Sequence, residues 1–354
     1  MKQNYHIIGV MSGTSLDGVD LAYLEFENIN NQYFFKILKA ETKPYSDFWL
    51  QTLSEAIHYS DEKLAQTNQD YTQYLGSIIA DFITENNIET IDAVCSHGHT
   101  IKHEPQNGYT LQIGNLPEIA RYVQQKVVCN FRVQDVKLGG QGAPLVPMGD
   151  KILFSDYDAC INLGGFSNIS FDIKNTRIAF DMCPVNTILN FYSQKINQPF
   201  DNQGIIARSG TLNLELFNAL NQLDFYKKSY PKSLGVEFNS RFIFPIIDSF
   251  KESIENILHT FVEHCAFQIA HALPNPEVKV LLTGGGAYHL YLVERIQKYA
   301  PKATLVIPDD YAIQYKEALI FGLLGVLKLE GKNNVLASVT GAKHDHCAGE
   351  VYEF

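Results

Sequence analysis

The chain has 354 residues, with 45% hydrophobic and 19% charged side chains and a formal net charge of −11. That length is long for one core, so two domains are expected, and the composition excludes a disordered chain. The acidic total argues against a nucleic-acid surface and against docking on anionic membranes. It leaves phosphorylated ligands open, because backbone N–H groups and Mg²⁺ hold phosphate without a basic patch.

The chain enters an apolar strand over 5–11 with no charged segment ahead of it, so no signal peptide is expected. The longest apolar run, 319–327, is too short to span a bilayer, and a cytoplasmic protein is expected. The first strand runs into Ser12, Gly13, Thr14, Ser15, Leu16, Asp17 and Gly18 and emerges as a second strand over 19–26. A turn of such small residues leaves N–H groups and hydroxyls free for an anion, and Asp17 can organise a metal or water beside it. The alternative reading is an ordinary hairpin.

A third strand is expected over 33–41 and a helical region over about 46–87. A short buried strand at 91–96, a loop over 98–107 and a strand at 109–113 follow. Residues 116–125 read as helix and 127–131 as extended chain. The glycine-rich stretch 138–144 is the expected crossing between two lobes. Beyond it, 159–171 repeats the strand, turn, strand pattern around Asn162, Gly164 and Gly165. Helices are expected near 185–196, 211–222 and 246–273, then a strand at 278–282 ending in Gly284, Gly285 and Gly286, and a helix at about 288–299.

Both halves thus open with strand, small-residue turn, strand, strand, and both continue with helices. The expected fold is α/β, two lobes of the sugar kinase, Hsp70 and actin type (duplicated ribonuclease H-like domains) around an interlobe cleft. The expected domains are 1–130, with the first phosphate loop, 131–340, and a tail over 341–354. No G-x-x-x-x-G-K-[ST] occurs, and Gly284–His289 does not complete G-x-G-x-x-G, so a P-loop and a Rossmann dehydrogenase are disfavoured.

Six scattered cysteines form no C-x-x-C pair, and Cys95, Cys129 and Cys160 lie in apolar runs where a thiol packs as a small hydrophobe. Two histidine clusters, His97 and His99 with His103, and His344 and His346 with Cys347, lack the spacing of a zinc site. No metal ligands are assigned. Asp181 is the candidate to deprotonate a nucleophile, since a strand delivers it near its C-terminal end and a proline and a helix follow. Its alternative is a helix cap.

These residues carry a resemblance over 9–342. It rests on Gly-Val-Met-Ser-Gly-Thr-Ser-Leu-Asp-Gly-Val-Asp at 9–20, Gly98-His99-Thr100 with His103 and Pro105, and Thr110-Leu111-Gln112-Ile113-Gly114. It continues through Phe131-Arg132 with Asp135, Gly139-Gly140-Gln141-Gly142-Ala143-Pro144, Asn162-Leu163-Gly164-Gly165, Pro231-Lys232-Ser233, Gly284-Gly285-Gly286-Ala287 and Ser338-Val339-Thr340-Gly341-Ala342. The chain resembles the anhydro-N-acetylmuramic acid kinases of peptidoglycan recycling. The resemblance implies that ATP and Mg²⁺ serve to convert 1,6-anhydro-N-acetylmuramic acid to N-acetylmuramic acid 6-phosphate. Water attacks C1 while the freed O6 takes the γ-phosphoryl group, and Asp181 is the implied base. It also implies nucleotide contacts from Ser12 to Gly18, Asn162, Gly164, Gly165 and Gly284 to Gly286. The implied sugar contacts are His99, Thr100, Arg132, Asp135, Gln141 and Glu317. Dimers occur in that family, which leaves a homodimer open.

The chain departs from the family pattern around the base. Phe-Asp-Thr-Gly-Pro-Gly-Asn is usual, and here Phe180-Asp181-Met182-Cys183-Pro184-Val185-Asn186 stands instead. Cys183 and Val185 in place of glycines are expected to narrow the site. Asn130 replaces a usual aspartate, and the aspartate and glycine usual before Glu317-Ala318 are missing. A kinase for another anhydro or amino sugar, or a non-catalytic sensor, are the competing readings.

Overall fold

The computed structural model describes residues 2–13 and 15–354. Two compact units form: one comprises the chain up to Leu153 together with Tyr315–Phe354, and the other comprises Phe154–Gln314. The boundary expected at 130/131 therefore falls inside the first unit, and Tyr315–Phe354 return to it instead of extending the second. The stretch 138–144, expected to cross between lobes, also belongs to the first unit. It is wound around buried Asp135, as described below.

In the first unit a seven-stranded sheet has the order β12-β6-β4-β1-β2-β3, with β5 paired to β4. Its strands are β1 (Asn4–Ser12), β2 (Val19–Ile29), β3 (Gln32–Lys43), β4 (Ala93–Glu104), β5 (Tyr109–Ile113) and β6 (Val127–Cys129), closed by the C-terminal strand β12 (Glu350–Tyr352). β1 lies antiparallel to β2 and parallel to β4. It is buried continuously from Ile7 to Ser12, as a central strand covered on both faces must be. One face packs Ile8, Val10 and Leu21 with Trp49, Tyr71, Leu75 and Phe82. The other carries the helix Lys316–Leu329, whose Ala318 carbonyl lies so close to Gly9 that no Cβ fits there.

The second unit holds a five-stranded sheet, order β11-β10-β7-β8-β9. Its strands are β7 (Ala159–Leu163), β8 (Phe166–Ile173), β9 (Thr176–Pro184), β10 (Lys279–Thr283) and β11 (Thr304–Val306). Here too the first three strands form an antiparallel run and the next is parallel to the first. The helices Asn186–Gln194, Ile254–His271 and Leu290–Tyr299 contribute Leu189, Phe261, Val262 and Leu292 to a core with Ile161, Leu163 and Leu282.

Serine caps explain where expected helices break. The region 46–87 divides into Asp47–Glu55 and Asp61–Glu85, because Ser60 accepts the Lys63 N–H and starts a new helix. Ser253 does the same after extended Phe250, so 246–273 becomes Phe244–Ser249 and Ile254–His271. The expected loop 98–107 is mostly strand: β4 continues to Glu104 because β5 pairs along it, with a register shift between Thr100 and Lys102.

Candidate active site

In the second unit the strand ends bring the expected residues together. β7 and β10 run parallel with Thr283 opposite Asn162, so the Gly164–Gly165 turn and the Gly284–Gly286 turn emerge side by side. Gly284 has φ +80°, and a Cβ there would collide with the Asn162 side chain and the Leu163 backbone. Only glycine lets the two turns approach this closely. Asn186 ties them to the following helix: its Nδ2 donates to the Leu163 carbonyl at 3.1 Å and its N–H to Gly164 at 3.2 Å. Thr187 donates through Oγ1 to the Gly165 carbonyl at 3.0 Å.

Asp181 lies on β9 opposite Asn168. A one-residue irregularity follows, between Ser167 and Asn168 on the partner strand, and Met182 is the extra residue. The Ser167 hydroxyl secures this bulge by donating to the Cys183 carbonyl at 3.0 Å and accepting the Cys183 N–H at 3.2 Å. The segment carrying Pro231-Lys232-Ser233 runs alongside. Its Lys232 carbonyl accepts the Asp181 N–H at 3.0 Å, and the Leu234 N–H donates to Asp181 Oδ2 at 2.7 Å. Burial raises the Asp181 carboxyl above its ordinary value, and the Leu234 N–H partly offsets that rise. Asp181 does not cap the next helix, where Val185 occupies the N-cap without a side-chain bond.

The bulge also settles the residues that depart from the family pattern. Met182, Cys183 and Val185 are all buried in the apolar core of this unit. Their side chains replace glycine and threonine by filling the interior, so the narrowing expected from Cys183 and Val185 is not found.

In the first unit the loop after β1 separates into inward and outward groups. Ser12 is 1% exposed. Its Oγ lies 2.6 Å from the Tyr45 hydroxyl and 2.7 Å from His99 Nδ1, and it accepts the Tyr71 hydroxyl at 3.2 Å. This hydroxyl, expected on phosphate, is used up inside the protein. Ser15 and Asp17 are exposed, Leu16 takes φ +62°, and Thr14 lies outside the described residues. Asp20, one turn on, accepts the Thr42 hydroxyl at 2.6 Å; burial first, and Asp17 in addition, push its carboxyl up.

His99 is buried and neutral, its imidazole lowered by burial to about 4. Thr100 accepts from Gln112 Nε2 at 3.3 Å, and Gln141 is exposed. Arg132 donates Nε to His97 Nε2 at 2.8 Å and Nη1 to the Gly142 carbonyl at 2.7 Å. Burial lowers its guanidinium to about 10, with Glu317 and Asp135 opposing, so it stays charged near neutrality. Glu317 is exposed at the start of its helix, yet surrounding protein raises its carboxyl, with Arg132 pulling it back.

Asp135 departs from its expected role. It is fully buried, with Oδ2 accepting the Gly142 N–H at 2.6 Å and Oδ1 the Thr340 hydroxyl at 2.7 Å. Both oxygens hold the glycine-rich loop against the C-terminal segment, and the fully buried carboxylate presents no surface to a ligand. Gly140 packs against this carboxylate where a Cβ would strike it. The three clustered histidines point to different partners, His103 to Thr110 at 3.0 Å, and the described residues contain no group of three or more His, Cys, Asp or Glu able to hold a metal. Tyr45, Tyr71, Thr340 and the Leu234 N–H had no assigned role in the sequence reading. Only the Pro231-Lys232-Ser233 and Ser338-Val339-Thr340 blocks marked their neighbourhoods.

Two α/β units that repeat one strand order, one with paired glycine turns, define the sugar kinase, Hsp70 and actin class of fold. A family model described as anhydro-N-acetylmuramic acid kinase matches residues 5–353. The anhydro-N-acetylmuramic acid kinase of Sulfurimonas denitrificans is 32% identical, over 98% of this chain and 99% of that protein. That of Bacillus cereus is 33% identical over 98% of each. Among solved structures, the activator of the 2-hydroxyisocaproyl-CoA dehydratase from Clostridium difficile aligns over 90% of this chain and 93% of its own, at 13% identity and TM-score 0.43. The chain belongs to the anhydro-N-acetylmuramic acid kinase family. Among the described residues no helix is long and apolar enough to cross a membrane.

Proposed function

We propose that this kinase uses Asp181 as the general base in opening 1,6-anhydro-N-acetylmuramic acid with ATP. Asp181 takes a proton from water, whose oxygen bonds to C1 of the sugar. The C1–O6 bond breaks, and O6 bonds to the γ-phosphorus as ADP leaves, giving N-acetylmuramic acid 6-phosphate. The observation that carries this reading is the state of Asp181. One oxygen is pinned by Leu234 and the carboxyl is raised by burial, so it is oriented and a stronger base than a solvated carboxylate.

The glycine turns at Gly164–Gly165 and Gly284–Gly286, with Asn162, supply backbone N–H groups and close approach for the nucleotide. Gly13, Ser15, Leu16, Asp17 and Gly18 supply a second phosphate-facing loop. His99, Thr100, Arg132, Gln141 and Glu317 are the sugar contacts; Asp135 supports them from behind. Mg²⁺ fits as an ion carried largely by phosphate oxygens and water, which needs one or two carboxylates and no protein cage. Asp17 and Asp20, a pair in which one raises the other, are the residues that would hold it. When bound, Mg²⁺ neutralises phosphate charge as the γ-phosphoryl group moves. The protein is proposed to act in the cytoplasm.

Product analysis by mass spectrometry, with Mg-ATP and 1,6-anhydro-N-acetylmuramic acid, tests the reading. The expected product is heavier by water and one phosphoryl group, is absent with Asp181→Asn, and carries ¹⁸O at C1 when made in ¹⁸O-water. Label missing from C1 would overturn the water attack. Turnover of other sugars but not this one would favour the related-substrate reading.

A further inference from the structure

We infer that His97 is a positioning residue, whose Nε2 lone pair fixes the Arg132 guanidinium and turns its remaining N–H groups toward the sugar. The inference rests on the proposed contact between Arg132 and the sugar.

His97 is 4% exposed, and each of its ring nitrogens has a hydrogen-bond partner. Nδ1 lies 2.8 Å from the Gly98 carbonyl, which can only accept, so Nδ1 carries the proton. Nε2 is then a bare lone pair, and the Arg132 Nε–H meets it at 2.8 Å. The tautomer follows from this pair of contacts alone. Burial, with Arg132 adding, holds the imidazole well below its ordinary value, so the acceptor persists through the physiological range.

Ring and backbone are both held. The ring packs on Phe321, tilted by 49° with centroids 4.7 Å apart. The His97 carbonyl accepts Asn115 Nδ2 at 2.9 Å, and Gly98 donates its N–H to Ser96 Oγ at 3.1 Å. Arg132 is gripped at two of its nitrogens, Nε by His97 and Nη1 by Gly142. Among the described residues no acceptor is recorded for Nη2. A guanidinium fixed at one edge presents the other in a set direction, which a planar fork converts into geometric selectivity for an oxygen pair. His97 is one of the three clustered histidines, and this contact gives it a task that needs no metal.

The test uses steady-state kinetics on the full-length enzyme, reading KM for 1,6-anhydro-N-acetylmuramic acid, KM for ATP and kcat. Glutamine can offer its carbonyl oxygen near the place of Nε2, whereas asparagine stops near Nδ1. His97→Asn is expected to raise the sugar KM roughly tenfold, with ATP KM within about twofold, and His97→Gln to recover most of that. Arg132→Gln should raise the sugar KM roughly 10–100-fold, and adding His97→Asn to it should do nothing more. An additive double variant, or equal loss in the Asn and Gln variants, would leave His97 a merely structural residue and overturn the inference. A wild-type sugar KM in Arg132→Gln would instead overturn the reading of Arg132 itself. Should His97→Asn fail to fold, His97→Gln alone decides: its recovery of sugar KM requires an acceptor at the Nε2 position, and a large loss refutes it.

Discussion

Ser12→Ala separates two roles for the first residue of the phosphate loop. Its motif places the hydroxyl on a nucleotide, whereas the structure points it inward, 2.6 Å from Tyr45 and 2.7 Å from His99. Deleting Oγ leaves the two tyrosines bonded to each other at 2.6 Å, but His99 Nδ1 loses its partner. Leaving a buried polar group without its partner costs about 1–3 kcal/mol, and that is the loss expected. For a unit of this size that is a fall in Tm of about 2–12 °C. Differential scanning calorimetry reads the fall, and ATP titration should give an affinity within about twofold of wild type. An unchanged Tm together with a tenfold weaker ATP affinity would refute the inward role and return Ser12 to the phosphates.

Three other outcomes are expected. Asp181→Asn should lower kcat by about 10²–10⁴-fold with ATP affinity retained. Because the folded carboxyl is raised, the native state binds the extra proton and stability falls as pH rises through that value, so the amide should also raise Tm at neutral pH; a lower Tm would contradict the burial argument. In the wild type, kcat/KM should decline on the acid side at a pH above the ordinary carboxylate value, and a limb at or below that value would show Asp181 to be unperturbed in solution. His99 and His264, lowered by burial to about 4 and about 3, are neutral when folded and protonate more readily when unfolded. Stability is therefore full above the unfolded imidazole value near 6.5 and declines as pH falls toward 4; a denaturation midpoint equal at pH 7 and pH 5 would count against it. Asp135→Ala should orphan the Gly142 N–H and the Thr340 hydroxyl, costing about 2–4 kcal/mol and raising sugar KM more than ATP KM. Equal effects on both KM values would detach the glycine-rich loop from the sugar.

Much of this was legible because it is local. An unbroken apolar run marks β1 and alternating apolar residues mark β2, and glycines mark the turns where two strand ends must touch. Asp181 could be picked out because strand, carboxylate, proline and helix follow one another within a few residues. What stayed hidden depends on pairings distant in the chain. Thr340 lies 205 positions from Asp135, and nothing near either residue shows that they meet. Leu234 reaches Asp181 across 53 positions through a backbone N–H, which every non-proline residue possesses. The inward turn of Ser12 needs Tyr45, Tyr71 and His99 from three other elements. The departures at Met182, Cys183 and Val185 looked like changes to the site, because sequence does not tell which way a bulged strand sends its side chains.

The first unit is assembled from the two ends of the chain, and this reverses the order of reading during synthesis. Residues up to Leu153 leave the ribosome before the helix Lys316–Leu329 that covers β1, and before β12, which pairs along β6. The second unit, continuous from Phe154 to Gln314, can close while the first still waits with one face of its central strands bare. A nascent chain of this protein thus carries an uncovered sheet until Lys316–Leu329 and Glu350–Tyr352 emerge. Removing Glu350–Tyr352 deletes β12 and leaves β6 as an open edge.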